Sequence, residues 1–353
     1  MRVDAYPEIG YGHLKRCLII AKRLRERGKE VFFLLVGDLV AAAEIKKTGF
    51  DLSEMPKETS FSEQINALEL YDFKNIEITI VDIAHARAMQ DSKGLALYLK
   101  KLSSHIFTVF IDSFGVQSAR KNIPELFCNI LVSAYVGSKK STKKINYTEL
   151  LGVKYFVLDF VYQNYGKKNI RKLANRVLII CGGSDPNSIS SKILNALNSE
   201  KKIILDIKVI VGPGFSPELH KILLKLAEHS SHNVDFVINP EDLSSEMSWC
   251  DMAISTSGLT KYELAATGTP AILMSIDSRH DAVNQYFISE KSAIDLGDVK
   301  DVSDVKLLNS VWMLLENENE RARQSLVGQN LINGKGSDNL IEEILKIHND
   351  VSA

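Results

Sequence analysis

The strongest constraint on the fold is a repeated alternation of short apolar runs with helical patterns. In the first half, apolar runs at 31–36, 76–82 and 107–112 alternate with helical patterns near 39–48 and 93–102. Runs that are hydrophobic throughout are typical of parallel strands buried on both faces. The pattern predicts an α/β fold in which ligands bind at loops after the strands. The candidate loops are 10–13, 82–87 and 112–115.

The alternation lapses between about 138 and 176 and then restarts, which predicts two domains. The second series of apolar runs lies at 176–181, 207–211, 234–238, 252–255 and 271–276. We expect Rossmann-like domains over 1–165 and 166–335, and a final helix over 336–353 that could pack back towards the first domain. Two such domains imply a cleft between them that suits a two-part ligand.

Charge and cysteine content narrow the function class. The chain has 353 residues and a formal net charge of −1, which does not favour nucleic-acid binding. Lysine runs at 139–144 and 167–172 are interpreted as solvated linkers, with weak attraction to anionic lipid as the alternative. The four cysteines have no zinc-binding spacing. We expect a cytoplasmic monomer or homodimer with no transmembrane segment, no signal peptide, no metal and no cofactor.

A histidine stands where the first glycine loop becomes a helix. Gly10 and Gly12 precede His13, and an apolar helical stripe runs from Leu14 until Gly28. The amides and dipole of a helix start disfavour a positive charge, so an imidazole there tends to stay neutral and can accept a proton. The same amides could face a phosphate. The alternative is a tight turn in which His13 only caps or packs.

The segment 255–270 predicts a strand, a glycine turn and a helix. Ser257 and Gly258 are small enough for amides to approach a diphosphate, and Glu263 could accept both hydroxyls of a ribose. The competing interpretation is that Thr260 and Glu263 form a capping box.

Two further loops carry polar candidates. Asn284 and Gln285 follow the next strand and could hold a sugar, although Asp281 could instead cap a helix there beside a solvated turn. His85 follows the strand that ends near Asp82, but a lone loop histidine is more often structural.

Together these motifs resemble the nucleotide-sugar hydrolases of pseudaminic acid biosynthesis and related spore-coat polysaccharide proteins, which are homologues of MurG-like glycosyltransferases. The resemblance spans most of the chain. It is carried by Arg2-Val3-Asp4-Ala5, Ile9-Gly10-x-Gly12-His13-x-x-Arg16-Cys17-Leu18, Gly182-Gly183-Ser184-Asp185, Val211-Gly212-Pro213-Gly214 and Ile254-Ser255-x-x-Gly258-Leu259-Thr260-x-Tyr262-Glu263-Leu264.

The resemblance implies a GT-B fold with the nucleotide in the C-terminal half and the sugar facing the N-terminal half. It also implies hydrolysis of a UDP-linked acetamido sugar. In this reaction His13 would act as the base, Glu263 would bind the ribose, and the backbone of residues 237–238 would contact uracil. Water would attack C1 directly and invert it. The candidate substrate-binding residues are Asp4, Gly10, Gly12, Arg16, Asp82, His85, Gly183, Ser184, Val237, Ile238, Ser257, Gly258, Leu259, Thr260, Glu263, Asn284 and Gln285.

The sequence departs from the family pattern at three places. Only Met1 precedes Arg2, so most of the expected first strand is missing; 83–85 lacks a tyrosine that relatives often have; and 158–160 lacks their arginine. Two other functions therefore stay open. One is an inverting GT-B glycosyltransferase in which His13 deprotonates an acceptor hydroxyl, and the other is a nucleotide-sugar binding protein without turnover.

Overall fold

The computed structural model describes residues 1–71, 73–112, 118–163, 165–256, 258–276 and 278–352. The chain divides into two compact units. Unit 1 comprises Met1–Asp159 and Lys335–Ala353, and unit 2 comprises Phe160–Gly334. Within these described residues, each unit is built on one parallel sheet, of seven strands in unit 1 and six in unit 2. No helix in the described ranges is long and apolar enough to span a bilayer.

Unit 1 has its strands in the order β3-β2-β1-β4-β5-β6-β7. The strands are β1 (Arg2–Ala5), β2 (Phe32–Gly37), β3 (Asp51–Pro56), β4 (Ile78–Asp82), β5 (Phe107–Ile111), β6 (Ile130–Ser133) and β7 (Thr148–Leu151). The helices are α1 (Gly12–Glu26), α2 (Leu39–Lys47), α3 (Phe61–Leu68), α4 (His85–Gln90), α5 (Ser92–Ser103), α6 (Ser118–Asn122) and α14 (Gly336–Ser352).

The first strand, β1, is short but central. It pairs with β2 from Arg2↔Leu34 to Ala5↔Gly37, whereas it pairs with β4 only at Arg2↔Val81 and Val3↔Asp82. All four of its residues are buried. The carboxyl ends of β1 and β4 therefore lie side by side, and the loops that follow them begin at the same edge of the sheet.

Unit 2 has the strand order β10-β9-β8-β11-β12-β13. Its strands are β8 (Arg176–Ile180), β9 (Asp206–Val211), β10 (Asn233–Ile238), β11 (Met252–Thr256), β12 (Ala271–Ser275) and β13 (Ile294–Asp298). Its helices are α7 (Ile189–Asn198), α8 (Pro217–Glu228), α9 (Ser244–Trp249), α10 (Thr260–Ala266), α11 (Ser278–Ser289), α12 (Asp304–Glu316) and α13 (Glu318–Leu331). The chain order reverses between β8 and β11, which is where open α/β sheets usually bind ligands.

The final helix, α14, belongs to unit 1. Near its start, the Ser337 hydroxyl donates to the Leu158 carbonyl at 2.6 Å. Arg27, the residue that follows helix α1, adds an ion pair, because its Nη2 lies 2.8 Å from Asp338 Oδ1. Gly336 is packed so closely against the Phe156 backbone that a Cβ would collide with it. These contacts attach the C-terminal helix to the domain that begins the chain.

Candidate active site

The loop between β1 and α1 brings His13 to the carboxyl edge of the sheet. Gly10 has a left-handed φ of 75°, and its amide donates to the Tyr6 carbonyl at 3.0 Å. The turn requires this conformation, which glycine adopts without a Cβ penalty. Helix α1 then begins at Gly12, with no side-chain cap hydrogen bond from Tyr11 and no acidic residue in its first turn. His13 is therefore the second residue of α1, as the sequence indicates.

His13 forms a hydrogen-bonded pair with Asp82, the last residue of β4. The Nδ1 to Oδ1 distance is 2.8 Å, and Asp82 is fully buried while the His13 side chain is 12% exposed. Two groups contact Nδ1, the Asp82 carboxylate at 2.8 Å and Arg16 Nη2 at 3.3 Å. The shorter contact is with a carboxylate, which can only accept, so it favours the neutral tautomer with the proton on Nδ1 and Nε2 as a proton acceptor. This is the tautomer that a general base needs.

Arg16 holds the carboxylate of this pair from the next turn of α1. Its Nε donates to Asp82 Oδ2 and its Nη2 to Oδ1, both at 2.7 Å. Its Nη1 also donates to the Tyr135 hydroxyl at 3.3 Å. Burial alone would raise the pKa of Asp82, but the Arg16 charge and the His13 hydrogen bond hold it well below its usual range. Asp82 therefore stays ionised at neutral pH.

Two other candidates in unit 1 lie close to this edge. Asp4 is fully buried, and its carboxylate lies 2.7 Å from Arg2 Nη2 and 3.6 Å from Arg87 Nε. His85 is half-buried at the first position of α4. Asp4 is thus part of a buried ion-pair cluster. The predicted loop residues 113–115 lie outside the described residues.

The glycine turn after β8 leaves backbone exposed at the edge of the unit 2 sheet. Gly182 has a left-handed φ of 80°, and Gly183 and Ser184 are exposed. The Gly183 carbonyl accepts the Gly214 amide at 2.8 Å. Asp185 caps α7 by accepting the Ile189 and Ser190 amides, each at 2.8 Å. The start of α7 is therefore already occupied by a carboxylate of the chain itself.

The turn after β11 leads into helix α10. Helix α10 starts at Thr260 with Leu259 at the N-cap position, and no side-chain cap hydrogen bond forms there. The capping-box interpretation is therefore wrong. Gly258 is exposed, with open space where a side chain would stand, whereas Glu263 is only 7% exposed. Ser257 lies outside the described residues.

Asn284 is part of a buried polar network. It is fully buried in α11, where its Nδ2 donates to Ser275 Oγ at 3.1 Å and to Asp295 Oδ1 at 3.2 Å. Its Oδ1 accepts from Lys261 Nζ at 3.0 Å. Burial lowers the pKa of Lys261 to about 7. The neighbouring Gln285 is exposed. The sequence did not indicate that Asn284 takes part in this network.

The two remaining candidate substrate-binding residues lie at the end of the edge strand β10. Val237 and Ile238 pair with Ile210 and Val211 of β9, and Ile238 is 57% exposed. Strand β10 is the outermost strand of its sheet. The backbone of these residues is therefore paired on the β9 side and has no strand on the other side among the described residues.

Comparison of sequences finds distant relatives. No family model matches the chain. The uncharacterized protein MJ1062 of Methanocaldococcus jannaschii is 26% identical over 284 residues, which are 77% of this chain and 54% of that protein. The spore coat polysaccharide biosynthesis protein SpsG of Bacillus subtilis is 24% identical over 47% of this chain and 49% of its own length.

A third relative is a Helicobacter pylori protein named pseudaminic acid cytidylyltransferase and UDP-2,4-diacetamido-2,4,6-trideoxy-beta-L-altropyranose hydrolase. It is 30% identical over 206 residues, which are 57% of this chain and 34% of that protein. The chain thus spans about half of the first two relatives and a third of this one.

Comparison of structures identifies the fold. MurG of Acinetobacter baumannii matches with a TM-score of 0.72 at 13% identity, over 98% of this chain and 99% of MurG. Anabaena Alr3699/HepE, solved with UDP and glucose, matches with a TM-score of 0.56 at 12% identity, over 99% of this chain and 97% of its own. At these identities the likeness concerns the fold alone. The predicted α/β class and GT-B fold are confirmed.

Proposed function

We propose that the protein is an inverting hydrolase that releases UDP from a UDP-linked acetamido-deoxy sugar, in the biosynthesis of a surface glycan sugar. The observation that carries the proposal is the His13–Asp82 pair, in which Nδ1 is bonded to a buried carboxylate at 2.8 Å. The name of the H. pylori relative, which includes a UDP-sugar hydrolase, supports this reaction class.

The chemistry follows from the orientation of the imidazole. His13 Nε2 takes a proton from water while the water oxygen bonds to C1 of the sugar. The bond from C1 to the phosphate oxygen breaks, and its electron pair leaves with UDP. The new hydroxyl enters from the face opposite the leaving group, so the anomeric centre inverts. The imidazolium that forms is stabilised by the ionised Asp82, which Arg16 keeps aligned.

The proposal assigns the nucleotide to unit 2. The loops after β8 and β11 start from neighbouring strands, since Ser255 pairs with Ile180, and they lie at the switch point of the sheet. Gly183, Ser184 and Gly258 would let backbone amides approach the diphosphate. The ribose is assigned to Glu263, and uracil to the end of β10.

A glycosyltransferase is the second candidate. MurG-like structures match almost the whole chain, and in a transferase the same His13 would take the proton of an acceptor hydroxyl. The two functions differ only in which hydroxyl attacks C1. A binding protein without turnover is less well supported, because it would have no use for a tautomer-fixing carboxylate at 0% exposure.

The test incubates the protein with a panel of UDP-acetamido sugars, with and without acceptor sugars, and follows free UDP and the anomeric NMR signals. The proposal expects UDP and an inverted free sugar without any acceptor. Product that forms only with acceptor, as a glycoside, would establish transfer instead.

The matched variants are His13→Ala and Lys22→Ala, which alters an exposed residue of the same helix. Loss of the base should slow UDP release by about 10²–10⁴-fold, whereas Lys22→Ala should leave it unchanged. Equal rates in the two variants would remove His13 from the reaction.

A further inference from the structure

A lysine lies almost fully buried near the carboxyl edge of the unit 2 sheet. Lys261 is the second residue of α10, and 4% of it is exposed. Its Nζ donates to Asn284 Oδ1 at 3.0 Å, and Asn284 Nδ2 donates in turn to Ser275 Oγ at 3.1 Å. Ser275 is the last residue of β12. Asn284 therefore links the amine to the end of the strand at which ligand-binding loops start.

The buried amine has no counter-ion in direct contact. Asn284, its hydrogen-bond partner, is neutral, and its other close contact is the Phe287 ring, whose centroid lies 5.7 Å from Nζ. Within the described ranges, Lys261 forms no ion pair. An ammonium in such surroundings is costly. Burial accordingly lowers the pKa of Lys261 to about 7.

Asp295 of β13 is the carboxylate whose charge acts on the amine, from beyond ion-pair distance. Burial raises the pKa of Asp295 and Asp281 of α11 adds to this, whereas the hydrogen bond from Asn284 and the charge of Lys306 on α12 oppose it. Asp295 also accepts hydrogen bonds from Asn284 and not from Lys261. It therefore compensates a charge on the amine only in part.

The remaining described residues around α10 bring no further anion to the amine. Strands β11 and β12 contain no charged residue. Glu263 lies two positions further along α10, and side chains two positions apart on a helix do not face each other. From α13, which packs against the backbone of Ala265, Arg321 is turned to the Leu314 carbonyl. An anion bound at this edge would therefore compensate a charge that the described residues leave largely uncompensated.

The strand order places the amine close to the loops assigned to the diphosphate. Strand β12 pairs with β11 up to Thr256↔Met274, and β11 pairs with β8. Neighbouring strands lie about 4.8 Å apart, so a ligand at the turn after β11 would lie within about two strand spacings of Ser275. At an effective dielectric constant of about 20, one negative charge at about 10 Å raises the pKa of an amine by about 1.

We propose that Lys261 is a further nucleotide-binding residue, whose buried ammonium balances the charge of the diphosphate from the β12 side of the turn after β11. The inference rests on the assignment of the nucleotide to unit 2 under the proposed function. The diphosphate supplies the counter-ion that the amine lacks. The amine therefore takes up a proton from solvent when UDP binds and returns it when UDP leaves.

The test measures UDP binding by calorimetry for the native protein, Lys261→Met and Lys221→Met, which removes an exposed lysine of α8. Two buffers of different ionisation enthalpy are used at each pH, so that the protons taken up are counted. If bound diphosphate raises the Lys261 pKa by about 1 above its value of about 7, the native protein takes up about 0.4 proton per UDP at pH 8. The terminal phosphate of UDP is already ionised at that pH. Lys221→Met should match the native protein, and Lys261→Met should take up none.

The affinity for UDP provides a second readout. It should fall about fivefold between pH 7 and pH 9 in the native protein and in Lys221→Met, but not in Lys261→Met. Lys261→Gln, which keeps a hydrogen-bond donor without the charge, should behave like Lys261→Met and replaces it if that variant does not fold. A lysine that only holds Asn284 in place would instead weaken binding by the same factor at every pH when it is replaced.

UDP binding to the native protein without proton uptake would overturn the proposal and leave the nucleotide assigned to unit 2. An equal pH dependence in the native protein and the uncharged variants would also overturn it. No binding of UDP by the native protein would contradict the proposed function, and this inference with it.

Discussion

Replacing Asp82 with asparagine keeps the His13 ring but changes which of its two nitrogens carries the proton. The native carboxylate accepts two bonds from Arg16 and one from His13. An asparagine can accept from Arg16 with its oxygen, and its NH₂ group then faces His13 Nδ1. That group can only donate, so the ring proton moves to Nε2 and the base is lost. We expect UDP release to fall by about 10²–10⁴-fold, with little change in UDP affinity.

The same substitution also lowers the stability of the protein, and the assay must separate this effect from the loss of turnover. Arg16 is 8% exposed, and removing its counter-ion leaves a buried charge without compensation. Breaking a buried pair costs about 3–5 kcal/mol, a large part of the roughly 5–15 kcal/mol that holds a domain together. Turnover is therefore measured well below the midpoint of thermal unfolding, which is determined for each variant.

A double-mutant cycle then tests the reasoning. If Asp82 acts only through His13, the variant with both His13→Ala and Asp82→Asn should be no slower than His13→Ala alone. If the rate losses of the two single variants multiply in the double variant, Asp82 acts independently of His13. A folded Asp82→Asn protein with native turnover would refute the proposed role of the pair.

Three further predictions concern unit 2. Glu263→Gln should weaken UDP binding about tenfold in calorimetry, and 2′,3′-dideoxy-UDP, which lacks both ribose hydroxyls, should bind both proteins equally weakly; unchanged affinity would remove Glu263 from the ribose site. Asp185→Ala should lower the free energy of unfolding by about 1–2 kcal/mol, seen as a lower urea midpoint, because the amides of Ile189 and Ser190 lose their cap; an unshifted midpoint would contradict this. Between about pH 7 and pH 10.5 the unfolded chain keeps the Lys261 proton that the folded protein has released. The free energy of unfolding should therefore rise with pH over this range. In urea titrations, Lys261→Met should flatten that rise.

Most inner strands were predicted from sequence, but the buried inner strand β6 and some edge strands were not. Runs at 31–36, 76–82 and 107–112 correspond to β2, β4 and β5 because inner strands are apolar throughout. The edge strand β3 has only exposed and half-buried residues, and its sequence has no continuous apolar run. The edge strands β7 and β13 were also missed, since each keeps only one fully buried residue.

The candidate site was predictable in its residues but not in its pairing. The glycine loop indicated His13, and both Arg16 and Asp82 were expected to contact substrate. Their actual contacts with His13 depend on the register that sets Val3 opposite Asp82, which a single sequence does not contain. The burial of Lys261 also depends on packing between elements far apart in the chain.

The most direct test of the account is a short reaction with a UDP-acetamido sugar in H₂¹⁸O, with mass spectrometry of both products before the free sugar exchanges its label. Attack of His13-activated water at C1 predicts ¹⁸O on the anomeric carbon of the released sugar and none in UDP. Label in the phosphate of UDP, or label in neither product, would contradict it.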